Sequence, residues 1–133
     1  MQPQSVLQLP QQAASLAADL RHLQSLALTG SERLCFEVLA SGYRASRYDA
    51  TAAACERAAM IDPASGQPFE RSLAAGIGFD PASLGVLQFD GLGRPVDEAG
   101  LPLAADPARQ YRLLAGASSA SVTVQALTGR IDP

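Results

Sequence analysis

Residues 9–30 read LPQQAASLAADLRHLQSLALTG. Apolar residues recur there at steps of seven, four, three and four, which is the buried stripe of an amphipathic helix formed by Leu9, Leu16, Leu20, Leu23 and Ala27. Pro10 suits the first turn of a helix, where its missing N–H costs nothing, and Gly30 is a typical C-terminal stop. The pattern predicts one helix over roughly residues 10–29.

After this helix the spacing of the apolar residues along the sequence becomes that of a β-strand. Residues 33–39, RLCFEVL, mix apolar and charged residues and are typical of a strand with Leu34, Phe36 and Val38 on one face. Residues 43–49 alternate after a turn at 41–42. These two runs predict an antiparallel hairpin. Further strands are predicted at 68–73, 77–79, 84–89, 110–114 and 121–127.

One helix followed by many short strands predicts an α+β fold in which the helix packs on antiparallel β-sheet, because no strand-helix-strand alternation is visible. The β-rich region extends from about residue 33 to 131. Residues 51–59 are compatible with either helix or strand, and residues 90–107 form a long loop with Gly and Pro. The length of 133 residues predicts a single domain over 1–133.

The charge balance excludes a strongly basic protein. All 10 basic residues are Arg, against 13 acidic residues, which gives a net charge of −3. Nonspecific nucleic-acid binding requires a clustered basic surface, so this composition argues against it. The sequence shows neither the roughly 20 apolar residues of a membrane-spanning helix nor the basic start of a signal peptide.

Catalytic and metal-binding patterns are weak in this sequence. His22 is the single histidine, and its place on an amphipathic helix indicates an ordinary surface residue rather than a catalytic one. His22, Cys35 and Cys55 would need a fourth ligand to bind zinc, and no Cys-x-x-Cys spacing is present. We therefore expect no catalytic, cofactor or metal site, and no enzymatic activity.

The acidic and Gly-rich loop could in principle bind calcium or phosphate. The acidic residues of 90–98 lack the alternate spacing of a helix-loop-helix calcium site. Gly91, Gly93 and Gly100 are not followed by a Lys and a helix, as a phosphate-binding loop would require. A solvated turn is the better interpretation of this segment.

The two cysteines leave one intramolecular bridge to consider. A chain with so few cysteines has either two buried thiols in the cytosol or one disulfide after export. The spacing of Cys35 and Cys55 does not decide between these alternatives. A bridge would close a loop of about 20 residues, worth roughly 3 kcal/mol by the chain-entropy argument.

The order of motifs along the chain resembles a known family. The helix, a strand with a cysteine and a Gly-Tyr turn are followed by LQFDGLGRP at 87–95, SVTV at 121–124 and TGRI at 128–131. This order resembles the soluble domain of minor type IV pilins and of type II secretion pseudopilins of the H type. It is most similar to minor pilins of mannose-sensitive haemagglutinin-type pili, which also contain paired cysteines.

The resemblance implies a non-enzymatic structural subunit that helps to assemble a type IV pilus or a type II secretion pseudopilus, without a cofactor. Its partners would be other pilin or pseudopilin subunits. Family members begin with a leader and a hydrophobic helix that anchors them in the inner membrane, facing the periplasm, before they enter the filament. These 133 residues would then be a soluble domain without that segment, and the helix at 10–29 would be the C-terminal half of a longer one. Export to an oxidising periplasm would allow a Cys35–Cys55 disulfide.

A second functional class is a pilin-like binding module, such as a DNA-uptake or adhesion minor pilin. A DNA-uptake subunit needs a basic surface, and Arg130 near the C-terminus is accompanied by Asp132. Because net charge and the spread of arginines do not favour such a surface, no nucleic-acid partner is expected.

The loop at 90–107 is the candidate partner-contact surface. Exposed apolar residues with charges around them are typical of contact sites. The candidate contact residues are Leu92, Arg94, Val96, Leu101 and Leu103. The alternative is that the apolar side chains pack under the loop as a small satellite cluster, and the sequence leaves both interpretations open.

Overall fold

A computed structural model describes residues 4–133 of the chain, so the first three residues of the predicted domain lie outside the described part. Its first element is helix α1, Gln4–Gly30. The helix starts earlier than predicted, and Pro10 therefore lies inside it rather than in its first turn. Pro10 is exposed, whereas Leu9 and Ala13 on either side of it are buried and Val6 is partly buried against the core. Packing of these apolar residues extends the helix in spite of the hydrogen bond that a proline omits.

Ten strands follow the helix, in two antiparallel sheets. Their bounds are β1 Leu34–Leu39, β2 Gly42–Asp49, β3 Ala54–Cys55, β4 Glu70–Ser72, β5 Gly78–Phe79, β6 Gly85–Phe89, β7 Pro95–Val96, β8 Arg109–Ala115, β9 Ser118–Val124 and β10 Ile131–Asp132. The first sheet has the order β3-β2-β1-β6-β7, with β4 also paired to β2, and the second has the order β10-β9-β8-β5. The predicted α+β fold, with one helix on antiparallel sheets, is confirmed.

The hairpin of β1 and β2 is present, but its turn lies one residue earlier than predicted. Leu39 pairs with Gly42, so residues 40–41 form the turn and Gly42 belongs to β2. A Cβ at Gly42 would lie 2.4 Å from the carbonyl oxygen of Arg71. This glycine therefore permits the close approach of β4, which pairs with the same end of β2.

Other predicted boundaries also differ from the structure. Only residues 54–55 of the ambiguous segment 51–59 form a strand, and the predicted strand at 68–73 shortens to β4. The predicted strand at 121–127 starts earlier and ends at Val124, and β10 was not predicted. These short strands depend on their pairing partners, since isolated runs of two or three residues carry too little periodicity to be recognised.

The core lies between the helix and both sheets. Leu16, Leu20 and Leu23 are fully buried, as the helical period predicts, and α1 contacts β8, β9, β10 and β1. Beneath the helix four aromatic rings pack with centroid separations of 5.3–6.3 Å: Phe36, Tyr43, Phe79 and Tyr111. Because these rings come from both sheets, they join the two halves of the β-region in one core.

Polar side chains on the flanks of α1 form hydrogen bonds to the rest of the molecule. Besides His22, described below, these are Gln12 to the Ala74 N–H, Asp19 to the Tyr43 hydroxyl, Arg21 to the Ile131 carbonyl and Gln24 to the Gly93 and Gly129 carbonyls. Burial, followed by the hydrogen bond to Asp19, raises the pKa of Tyr43. Within residues 4–133, no helix has the length and hydropathy needed to span a bilayer.

Candidate functional site

The first half of the loop at 90–107 is a turn organised by Asp90. The Oδ1 atom of Asp90 accepts hydrogen bonds from the N–H groups of Leu92 and Arg94 at 3.0 and 2.9 Å. Its Oδ2 atom accepts one from Nε of Arg94 at 2.9 Å. Burial alone would raise the pKa of Asp90, but these hydrogen bonds outweigh it and hold the pKa below its ordinary value.

The second half of the loop has an equivalent turn at Asp97. Its Oδ1 atom accepts from the N–H groups of Ala99 and Leu101 at 2.9 and 3.0 Å. Carboxylates that bond to backbone two and four residues ahead close such turns. Over residues 4–133 there is no group of three or more His, Cys, Asp or Glu residues that could hold a metal ion.

The five candidate contact residues separate into two groups. Leu92 and Leu101 are 66% and 63% exposed, and Arg94 is half-buried in its ion pair with Asp90. Val96 is buried in strand β7, which pairs with β6, so the expectation that it is exposed is wrong. Leu103 is likewise partly buried against the core rather than exposed. Residues 95–96 pair with β6, and the Leu103 N–H donates to the Pro95 carbonyl at 3.0 Å, so both side chains are withdrawn from solvent. The satellite-cluster interpretation therefore holds for Val96 and Leu103, and the contact interpretation stays a prediction for Leu92 and Leu101.

Gln24 attaches this loop to the helix. Its Nε2 atom donates to the Gly93 carbonyl at 2.7 Å and to the Gly129 carbonyl at 3.0 Å. One side chain of α1 thus holds two turns that lie 69 and 105 residues further along the chain. The sequence contains no local signal of this contact, because the partners are backbone carbonyls.

Three exposed leucines lie within four residues of these anchored groups along the chain, and we call them the helix-end patch: Leu28, Leu92 and Leu127. Leu28 is one helical turn after Gln24, Leu92 precedes Gly93, and Leu127 lies two residues before Gly129. They are 54%, 66% and 58% exposed. Leu127 also has a φ of +63°, a backbone conformation that is costly for a leucine. Only Leu92 of this patch was recognised from the sequence.

Arg33 makes polar contacts that cross the first sheet. Its Nε donates to Oε1 of Gln88 at 2.6 Å, and its Nη2 donates to the carbonyls of Asp97 and Glu98 at 3.0 Å each. The guanidinium carbon lies 3.8 Å from the ring centroid of Tyr48, a cation–π contact. Arg33 therefore connects β2, β6 and the Asp97 turn, a role that the sequence did not indicate.

His22 is not the ordinary surface residue that we predicted. Its Nε2 lies 2.8 Å from Oδ1 of Asp62, which is buried, and its ring stacks on Phe69 with centroids 6.0 Å apart. The hydrogen bond from His22 is the main cause that lowers the pKa of Asp62, against the opposing effect of burial. Arg71 lies 3.6 Å from the second carboxylate oxygen. The cluster holds the helix to the loop before β4.

Cys35 and Cys55 form a disulfide. Cys35 lies on β1 and Cys55 on β3, so the bridge spans the intervening strand β2. The two sulfur atoms are bonded to each other and are therefore not the zinc ligands considered above. The bridge agrees with the disulfide that the pilin resemblance implies.

No protein-family model matches the chain, and no curated protein sequence does. Solved structures do match. The type IV minor pilin FimU of Pseudomonas aeruginosa superposes with a TM-score of 0.62 at 16% identity, over 94% of this chain and 87% of that one. A second crystal form of FimU gives a TM-score of 0.60 at 15% identity, over 93% and 90%. The minor pseudopilin EpsH of the Vibrio cholerae type II secretion system gives 0.62 at 14% identity, over 90% of each chain.

The chain has the minor pilin and pseudopilin fold. In this pilin-like fold α1 is the long N-terminal helix, and the turns anchored by Gln24 lie beside its C-terminal end. The three leucines of the helix-end patch thus come from the helix and from two loops of the β-region that Gln24 attaches to it.

Proposed function

We propose that the chain is a structural, non-enzymatic minor subunit of a type IV pilus or of a type II secretion pseudopilus. The observation that carries the proposal is a shared fold over about nine-tenths of this chain and of both comparison proteins. In this proposal the subunit faces the periplasm at the inner membrane before assembly. It then joins other pilin or pseudopilin subunits in the filament.

The outward face of α1 supports a role in assembly. The exposed residues of its middle turns are small or uncharged: Gln11, Ala14, Ser15, Ala18 and Ser25. The one charged residue in this row is Arg21, which donates to the Ile131 carbonyl at 2.7 Å. A row of small side chains lets another helix approach closely, because little side-chain volume separates the two backbones.

We propose Leu92 and Leu101 as the partner-contact residues of the loop. Both are exposed, whereas Val96 and Leu103 point inward and Arg94 holds the Asp90 turn. Leu92 contributes to the helix-end patch, and Leu101 follows the Asp97 turn. Apolar side chains this exposed gain most when a partner removes them from water.

The experiment is an assembly assay with the whole gene product in its host. Deletion should abolish or reduce filaments or secretion, and the tagged wild-type chain should co-purify with pilin or pseudopilin subunits. Leu92→Ser and Leu101→Ser should each weaken this co-purification without changing the melting temperature. Ile61→Ser is the matched control, because Ile61 is also a large apolar residue, is 55% exposed, and lies outside the loop and the patch.

Two results would count against these proposals. Unchanged filaments and secretion after deletion, with no co-purifying subunits, would overturn the structural role. Equal co-purification of all three variants would remove Leu92 and Leu101 from the contact surface while leaving the structural role in place.

A further inference from the structure

Strand β9 has an open edge that the proposed contacts do not use. On one side β9 pairs with β8 along its whole length, whereas on the other side β10 pairs only with Thr123 and Val124. Within the described part of the chain, residues 118–122 therefore have no strand beside them on that side. The edge lies in the second sheet, on the strand that α1 contacts most extensively.

Hydrogen-bonded and non-hydrogen-bonded residue pairs alternate along the β8–β9 ladder, and this alternation identifies the backbone groups of β9 that are free. Residues 116–117 form a two-residue turn, which makes Ala115 and Ser118 a hydrogen-bonded pair. Every second residue after Ser118 then bonds to β8, while Ser119 and Ser121 direct their N–H and C=O groups outward. None of these four groups has a hydrogen-bond partner among residues 4–133.

Two hydrogen bonds further along the strand establish the same alternation. The Val124 carbonyl accepts from the Ala108 N–H at 3.0 Å, on the side of β8. The Gln125 N–H donates to the Arg130 carbonyl at 2.8 Å, on the side of β10. The backbone N–H and C=O groups of the odd-numbered residues of β9 thus point toward the open side, in agreement with the assignment of Ser119 and Ser121.

This edge lacks the features that normally prevent strand addition. Exposed edges are usually protected by charged side chains, proline or a bulge. No charged residue and no proline occurs between residues 113 and 129. The register from Arg109–Val124 to Ala115–Ser118 is continuous and contains no bulge. The sequence thus leaves the edge open to pairing.

We propose that residues 118–122 accept an extended segment of a neighbouring pilin or pseudopilin subunit as an additional strand. This inference rests on the proposed function. Backbone hydrogen bonds to Ser119 and Ser121 would hold the segment, as in other cases of strand addition. Beside the half-buried Ala120 the segment needs small apolar residues, and an uncharged edge favours an uncharged segment.

The size of the edge favours a tethered subunit over a second free copy of this chain. Five residues span only about 17 Å. A stable interface between free proteins usually buries at least about 1,200 Å², more than one short strand provides. In the proposed filament the neighbouring subunit is already held by its other contacts, and the resulting high effective concentration makes a short strand sufficient.

The test uses proline as a backbone-specific block. Ser121→Pro removes an outward N–H that the β8–β9 ladder does not use, and an edge strand tolerates proline at such a position. Gln110→Pro is the matched control. The N–H of Gln110 points away from β9 on the other side of β8, beyond the residues that pair with β5. Ser119→Lys is a second variant that protects the edge with a charge and leaves the backbone unchanged.

We expect Ser121→Pro and Ser119→Lys to melt like Gln110→Pro but to co-purify with filament subunits about tenfold less, the effect of losing one or two hydrogen bonds. Equal co-purification of all three variants would overturn the inference. So would a dimer of the isolated chain in sedimentation that Ser121→Pro dissociates, because the edge would then pair with itself. If instead the wild-type chain does not co-purify with any pilin or pseudopilin, the proposed function itself fails.

Discussion

At the scale of single residues, His22 and Asp62 show how one contact holds the helix to a loop. Asp62 is buried and bonds to the His22 ring and to the Ala64 N–H. Because the hydrogen bond from His22 lowers the pKa of Asp62, this carboxylate is more acidic in the folded state than in the unfolded chain. The pair therefore makes stability depend on pH.

Asp62 is predicted to stabilise the fold only while it is charged. Its contribution is present above the unfolded-state pKa of 3.8 and is lost as pH falls through the lower folded-state value. Urea unfolding measured from about pH 6 to about pH 2 should therefore show an acid loss of stability that is smaller in Asp62→Asn than in the wild type, because Asp90 also has a lowered pKa and contributes to the loss in both. His22→Leu should move this loss to higher pH. Parallel stability curves for wild type and Asp62→Asn would contradict this assignment.

Gly129 is a second residue that we expect to be sensitive to substitution. A Cβ at this position would lie 2.3 Å from Nε2 of Gln24 and 2.7 Å from the Gly93 carbonyl. Gly116 has a similar positive φ, +60° against +71°, but open space around it. Gly116→Ala should cost about 1–2 kcal/mol from backbone strain alone. Gly129→Ala should cost about 1–3 kcal/mol more, because it also displaces Gln24.

Urea unfolding of both alanine variants measures this difference. Equal losses in Gly116→Ala and Gly129→Ala would show that Gln24 does not hold the two turns. A further comparison with Gln24→Ala should give a loss that is not additive with that of Gly129→Ala, since both variants break the same contacts.

At the scale of elements, the buried stripe of α1 should contribute most of the attachment between helix and sheets. Leu20 is fully buried, and Leu20→Ala is expected to lower the free energy of unfolding by about 2–5 kcal/mol. Ser25→Ala on the exposed face should change it by no more than about 0.5 kcal/mol. Chemical unfolding followed by circular dichroism measures both. A small loss in Leu20→Ala would indicate that this helix is held mainly by its polar flanks.

The disulfide joins β1 to β3 across β2 and closes a loop with a sequence separation of 20. Reduction, or the double substitution Cys35→Ser and Cys55→Ser, should lower the free energy of unfolding by roughly 3 kcal/mol. Reductant should not change the free energy of unfolding of the double variant, which serves as the control. Unchanged melting of the wild-type chain after complete reduction would show that the bridge does not stabilise this fold.

At the scale of the whole molecule, the arginines are largely neutralised within the fold. Six of the 10 form ion pairs with Asp or Glu: Arg44, Arg47, Arg71, Arg94, Arg112 and Arg130. Together with a net charge of −3, this pairing leaves little basic surface for a phosphate backbone.

We predict that the chain does not retard double-stranded DNA in a gel, even at low ionic strength where electrostatic binding is strongest. Arg44→Glu with Glu37→Arg reverses one ion pair without changing net charge and should behave like the wild type. Retardation that disappears with added salt would instead support a DNA-uptake role.

The amino-acid sequence by itself determined the helix and strands in which apolar residues recur with a regular spacing over several residues. The stripe from Leu9 to Ala27 and the alternation in β1 and β2 extend over enough residues to specify their type and their buried face. The α+β architecture and the resemblance to pilins follow from the order of these elements along the chain.

Only the tertiary structure decided which loop residues are exposed and which residues meet. Val96 is buried where β7 pairs with β6, and Leu103 is partly buried where its N–H donates to the Pro95 carbonyl. Leu92 is exposed beside the turn that Gln24 anchors to the helix. Gln24 and Gly129, like His22 and Asp62, are separated by long stretches of chain. Such contacts leave no period in the sequence, since they depend on the packing of distant segments rather than on local backbone conformation.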